Sequence, residues 1–152
     1  MESFQKTQVI NAAPREVYKA FTTEEGLRGW WTPDCDVGEK VGDVHHFRFS
    51  NGDFNKLEIV ELKPNERIHW KCIDGWDEWI GTEIIVNFVR TENGNTTMFF
   101  MHKGLTPNKL CYKGCKKAWS EYISQSIKGY VETGKGKPHI PEAENVIALK
   151  KA

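Results

Sequence analysis

Apolar positions recur along this chain with two different periods, and the switches between them divide it into elements. Residues 3 to 10 hold Phe4, Val9 and Ile10 in an imperfect alternation that predicts a first strand. Pro14, Val17, Tyr18 and Phe21 then fall at i, i+3, i+4 and i+7, the spacing of one helix face, and Pro14 suits a first helical position. A second short helix follows directly. Thr22 and Glu25 are spaced as a capping box, and Leu27, Trp30 and Trp31 form its apolar stripe. Two helices joined so tightly predict a V-shaped pair.

The middle of the chain alternates with period two. His45, Phe47 and Phe49 share one face of a strand over Val44 to Phe49. Lys56 to Leu62 is the next strand, broken at Lys63-Pro64-Asn65. Ile68, Trp70 and Cys72 share a face of another, and Asp74-Gly75 predicts the turn out of it. Ile84, Val86 and Phe88 line a further strand, closed by Glu92-Asn93-Gly94-Asn95, where Asn-Gly is the strongest hairpin signal in the sequence. Met98, Phe100 and His102 share a face of the last. Six strands in series predict an antiparallel sheet with one apolar face to cover.

The C-terminal segment supplies the cover. Tyr112, Cys115, Trp119, Tyr122, Ile123, Ser126, Ile127 and Tyr130 keep helical period. Thr106-Pro107 reads as the cap and first-turn proline, and Gly134 as a left-handed C-cap. Gly114 alone speaks against one continuous helix and would mark a short leading turn. Residues 1–136 form the expected domain. Residues 137–152, with Pro138 and Pro141, form an extended tail in which Val146, Ile147 and Leu149 allow one more turn.

Composition narrows the class of partner. A chain of 152 residues matches a single domain, and with 39% hydrophobic and 12% aromatic residues it can fill a core with rigid rings. Lys plus Arg equal Asp plus Glu at 21 each, so no basic excess exists to release counterions from nucleic acid. Lys113, Lys116 and Lys117 read as the wet face of a helix. No run approaches the roughly 18 apolar residues of a membrane span, and the start of the chain lacks a signal-peptide h-region. The expectation is a cytoplasmic protein whose four cysteines are reduced. Cys111 and Cys115, four apart, read as small buried side chains before they read as two metal ligands, and no metal or cofactor is expected.

Several loose motifs in order carry a resemblance. They are Ala13-Pro14 with Val17-Tyr18-Lys19-Ala20-Phe21-Thr22, Trp30-Trp31, and Val41-Gly42-Asp43. Pro64-Asn65-Glu66-Arg67-Ile68 leads on to Trp70, and Thr97 to His102 precedes Gly104-Leu105 and Trp119. Together, over about residues 4 to 136, they resemble the SRPBCC (START-like, birch-pollen-allergen-like) superfamily, and within it the homologues of the activator of heat-shock-protein-90 ATPase. Asp43 departs from that pattern, which often has a second glycine there, and the His45-His46 pair is unusual. The resemblance implies an α+β helix-grip fold: a curved six-stranded antiparallel sheet, two short helices and one long C-terminal helix enclosing a cavity. It also implies a small apolar, lipid-like or aromatic ligand. A homodimer stays open, and a chaperone contact is the less favoured partner.

The residues expected around that cavity are Trp30, His45, Phe47, Trp70, Met98, Phe100, His102, Trp119 and Ile123. Two readings of His102 compete. It is either an anchor or general base in the cavity, or a core histidine whose nitrogens are satisfied by the protein. His45 and His46, adjacent in a strand, point to opposite faces and do not share a metal. Asp34 with Asp36, and Asp74 with Asp77 and Glu78, read as solvated turn carboxylates rather than a catalytic pair. Gly75-Trp76-Asp77-Glu78-Trp79 either rims a pocket mouth or caps one end of the core. A binding module is therefore favoured over a cyclase- or hydrolase-like enzyme built on His102, and no catalytic residue is assigned.

Overall fold

Buried and exposed side chains alternate along each long strand of the computed structural model, which describes residues 2–140. The elements run β1 (Phe4–Ile10), α1 (Pro14–Thr22), α2 (Glu24–Trp30), β2 (Cys35–Asp36), β3 (Val44–Arg48), a single 3-10 turn (Ser50–Gly52), β4 (Phe54–Lys63), β5 (Arg67–Gly75), β6 (Glu83–Arg90) and β7 (Thr96–Lys103). A C-terminal helix then passes without a break through α3 (Tyr112–Glu121), a π-helical segment (Tyr122–Ile127) and α4 (Lys128–Thr133). All neighbours in the sheet are antiparallel, in the order β1-β7-β6-β5-β4-β3-β2. The sheet thus has seven strands where six were expected. The extra one, β2, pairs Cys35 with Phe47 and Asp36 with His46, and two residues are too few to alternate legibly. Asp34 and Asp36 are exposed, as expected, and both pair with the Arg48 guanidinium across this edge.

Three local signals act at different positions from those expected. Thr23, not Thr22, caps α2, its Oγ1 accepting from Gly26 N–H at 3.0 Å, while the Thr22 hydroxyl donates to Tyr18 O. Strand β5 continues through Asp74-Gly75, and the chain turns only afterwards, where Trp79 N–H donates to Trp76 O at 2.9 Å. Glycine is required at 75 because φ is +110° and a Cβ would stand 2.2 Å from Phe54 O. The C-terminal helix starts at Tyr112 rather than at Thr106-Pro107 and runs straight through Gly114. Its N-terminus is capped from outside: the Glu78 carboxylate accepts from Leu110 N–H (2.8 Å) and Cys111 N–H (2.7 Å). Those two bonds hold Glu78 below the usual carboxylate range. The Asn93-Gly94 hairpin and the left-handed C-cap at Gly134 stand where the sequence placed them.

Between helix and sheet lies a layer of rings. Trp30 and Trp31, at the end of α2, stack on one another at 5.8 Å, and Trp31 lies 4.2 Å from the Phe47 ring. Trp30 also donates from Nε1 to Ala20 O at 2.7 Å, which locks α2 onto α1. The start of the expected tail packs on the domain. Lys137 N–H donates to Ser126 Oγ (2.7 Å), whose hydroxyl donates to Trp30 O (2.6 Å), and His139 N–H donates to Trp31 O (2.7 Å). Gly136 allows this approach, since a Cβ there would sit 2.3 Å from Gly29 O. The final turn expected around Val146, Ile147 and Leu149 lies outside the described residues. Among those described, no helix is long and apolar enough to cross a membrane.

Candidate ligand pocket

His102, on the inner face of β7, is fully buried. Indole nitrogen can only donate, so Trp119 Nε1–H gives its proton to His102 Nδ1 at 3.0 Å, and the imidazole proton must sit on Nε2. That Nε2–H donates to Thr82 Oγ1 at 2.8 Å, and the Thr82 hydroxyl donates to Trp79 O at 2.6 Å. Every position in this relay is filled. Burial first, and Lys109 second, push the His102 pKa down to about 3. A histidine whose lone acceptor is occupied by an indole has no basic nitrogen to offer a substrate, so the geometry matches the core reading and gives no general base.

His45 is buried too, and its Nδ1 accepts from Gly38 N–H at 3.0 Å. Burial lowers its pKa to about 4, against a smaller opposing pull from Asp43. Asp43 itself accepts from Glu39 N–H and Lys40 N–H, so the residue that departs from the family pattern acts as a local turn cap. His46 does point to the opposite face, against Phe54 and Arg48.

Among the described residues, a hollow between helix and sheet lies at one end of the domain rather than around these histidines. It is a pocket of about 380 Å³ lined by Trp31, Phe49, Trp76, Trp79, Trp119 and Tyr122. Ser50, Asn51, Asp53, Gly114, Cys115, Ala118 and His139 complete its wall. Five segments build it. Trp31 comes from the end of α2, Phe49, Ser50, Asn51 and Asp53 from the β3–β4 turn, Trp76 and Trp79 from the β5–β6 turn, Gly114, Cys115, Ala118, Trp119 and Tyr122 from the C-terminal helix, and His139 from the segment after it. The strap after Gly136 closes one side, His139 Nε2 accepting from Ser50 N–H at 3.2 Å and meeting Ser50 Oγ at 2.9 Å. Phe49 stacks on Trp76 (5.2 Å) and Trp79 on Trp119 (5.9 Å), so the walls are ring faces and edges. Tyr122 opens the π-helical segment, whose wide turn also carries buried Ile123, Ser126 and Ile127.

Of the nine residues expected at a cavity, Trp119 lines this pocket. Trp30, His45, Phe47, Trp70, Met98, Phe100, His102 and Ile123 are buried in the ring layer beside it. The Trp76–Trp79 stretch does both things considered for it, since Trp79 is buried and Trp76 stands half-exposed at the mouth. Trp31, Phe49 and His139 were missed. The signal for Trp31 was its position next to Trp30 at a helix end, where neighbouring side chains diverge by about 100° around the axis.

A twisted antiparallel sheet gripped by a C-terminal helix, with a hollow at one end, defines the α+β helix-grip class. The chain belongs to the family of activator of Hsp90 ATPase homolog 1-like proteins, which it matches over residues 11–132. It is 31% identical to Aha1 of Colwellia psychrerythraea, whose solution structure is a dimer. That match has a TM-score of 0.80 and covers 90% of this chain and 100% of that one. The protein SSP2350 of Staphylococcus saprophyticus shares the fold at TM-score 0.73 and 18% identity, over 91% of this chain and 98% of that one. PFC0360w, an HSP90 activator of Plasmodium falciparum, shares it at TM-score 0.66 and 20% identity, over 81% and 91%. Among curated proteins no match is found.

Proposed function

We propose that this chain is a binding module for a small, flat, apolar or aromatic molecule held in the pocket under Trp31, Trp76, Trp79 and Trp119. The observation that carries the reading is the wall itself: four indoles, Phe49 and Tyr122 around about 380 Å³, with Ser50, Asn51, Asp53 and His139 as the polar part of the lining. The pocket is open to solvent on one side, so it holds either water or a guest. Water among ring faces finds few partners, so its displacement by a flat apolar molecule is favourable. Native mass spectrometry of gently purified protein, together with a melting screen against aromatic and lipid-like molecules, tests the proposal. A co-purifying small molecule or a ligand-dependent rise in Tm supports it, and their joint absence removes it.

A second reading is a chaperone ATPase activator, favoured by the family and by the 31%-identical Aha1. It predicts a measurable contact with an Hsp90-type chaperone in a pull-down and faster ATP turnover by that chaperone. Inert results in both would dismiss it. A homodimer like that of the Colwellia protein goes with either reading, and sedimentation velocity checks it.

A further inference from the structure

Rings of the pocket wall form a closed circuit of contacts. Phe49 meets Trp76 at 5.2 Å, Trp76 meets Trp79 at 5.0 Å, and Trp79 meets Trp119 at 5.9 Å. Trp119 meets Trp31 at 5.1 Å, and Trp31 returns to Phe49 at 5.9 Å. All of these rings line the same hollow. An aromatic ring is negative on its face and positive at its edge. Two of the positive indole N–H groups are already occupied by the protein. Trp119 Nε1–H donates to His102, and Trp79 Nε1–H donates to Cys115 Sγ at 3.4 Å. A guest among rings spaced this closely meets several of them within the about 6 Å reach of a cation–π contact, for which Trp is the strongest partner.

Formal charge points the same way. The lining contains one carboxylate, Asp53, and neither lysine nor arginine. Asp53 is exposed on the rim, and its backbone makes its hydrogen bonds, accepting from Phe49 N–H at 2.8 Å and donating to Ser50 O at 3.2 Å. Its carboxylate has no ion-pair partner among the described residues, and Arg48, on the adjacent strand β3, is committed to Asp34 and Asp36. The one imidazole in the lining, His139, accepts Ser50 N–H on Nε2, which a doubly protonated ring could not do. An anion entering here meets no lysine or arginine, whereas a cation meets a wall of indoles and a carboxylate at the rim. A cleft lined by one sign of charge between low-dielectric walls concentrates the opposite ion.

Resting on the pocket reading above, we propose that the molecule this pocket takes is a flat aromatic cation, such as an aryl amidinium or aryl ammonium. Its rings and its charge lie among the indoles, and Asp53 supplies the counter-charge at the rim.

Three probes of one shape separate charge from polarity and from apolar fit: 2-naphthamidinium, neutral 2-naphthamide and 2-isopropenylnaphthalene. Calorimetric titration of the wild type should show 2-naphthamidinium binding about fivefold or more tighter than 2-naphthamide. Asp53→Asn keeps both backbone bonds and removes the charge. It should weaken 2-naphthamidinium by about two- to fivefold, the size of an exposed ion pair, and leave 2-naphthamide and the hydrocarbon unchanged. Added salt should weaken the amidinium more in the wild type than in the variant. An amidinium no tighter than the amide, or an Asp53→Asn effect that does not distinguish the two, would overturn the proposal. So would 2-naphthoate binding more tightly than 2-naphthamidinium. If 2-isopropenylnaphthalene binds and the amidinium has no advantage, the pocket reading survives and this proposal alone falls. If no probe binds, both fall.

Discussion

Mild acid should destabilise this protein before its carboxylates titrate. His45 and His102 are buried as neutral imidazoles, with pKa values lowered from 6.5 to about 4 and about 3. In the unfolded chain both take up a proton near 6.5, so stability is complete above that pH. It falls as pH drops from 6.5 toward the folded values, because only the unfolded state gains protons in that window. Between about pH 7.5 and about pH 5 each histidine contributes nearly 1.5 units of differential binding, about 2 kcal/mol at 1.36 kcal/mol per unit. The pair together removes about 4 kcal/mol, a large share of a typical domain's 5–15 kcal/mol, those figures being order-of-magnitude. His46 is shifted the same way, by burial and by Arg48 and Lys56, and adds in the same direction. Urea unfolding at the two pH values measures the loss directly, and an NMR titration of the imidazole carbons assigns it. A stability change under about 1 kcal/mol, or a folded-state His102 titrating near its ordinary value, would refute the burial of neutral imidazoles from which the shift is argued.

The hydrogen-bond relay through His102 predicts the cost of cutting it. Trp119→Phe keeps a ring but leaves His102 Nδ1 unpaired, a loss of about 1–3 kcal/mol, whereas Trp119→Ala should lose about 3–5 kcal/mol. Thr82→Val, nearly isosteric, strips the hydroxyl between His102 and Trp79 and should also cost about 1–3 kcal/mol. Combined with Trp119→Phe it should be less than additive, because the two act on one imidazole. Urea midpoints check all of these, and a Trp119→Phe protein as stable as the parent would contradict the relay. Gly136→Ala forces a Cβ against Gly29 O and should lift the strap, lowering stability by about 1–3 kcal/mol. Trypsin should then cut faster after Lys135, and an unchanged cleavage rate would show that the strap does not depend on this approach.

Much of the fold was legible because its signals are periodic. Ile84, Val86 and Phe88 alternate inward, Trp119, Ile123 and Ile127 repeat on a helical face, and Asn93-Gly94 announces its hairpin. Strand β2 was not legible, since two residues are too few to alternate and their pairing with Phe47 and His46 is a tertiary event. The helix start was misplaced for a similar reason: its cap is Glu78, more than thirty residues upstream of Cys111, which no local motif reports. The pocket was only half legible. Inward alternation identifies His102 and Phe100 as facing the interior, yet it cannot say whether a ring fills space or lines it. That distinction depends on Trp31, Trp70 and Phe47 packing together so closely that the hollow is pushed to the end of the sheet, where Phe49, Trp76 and His139 meet from distant parts of the chain.

The protein's six tryptophans make a direct test of the pocket. Trp31, Trp76, Trp79 and Trp119 line it, whereas Trp30 and Trp70 are buried outside it. In a nitrogen-15-labelled sample, the indole N–H resonances can be followed while 2-isopropenylnaphthalene is added. Saturable shifts of the four wall indoles, with Trp30 and Trp70 nearly still, are the predicted result. Six unmoved resonances, or movement led by Trp30 and Trp70, would contradict it.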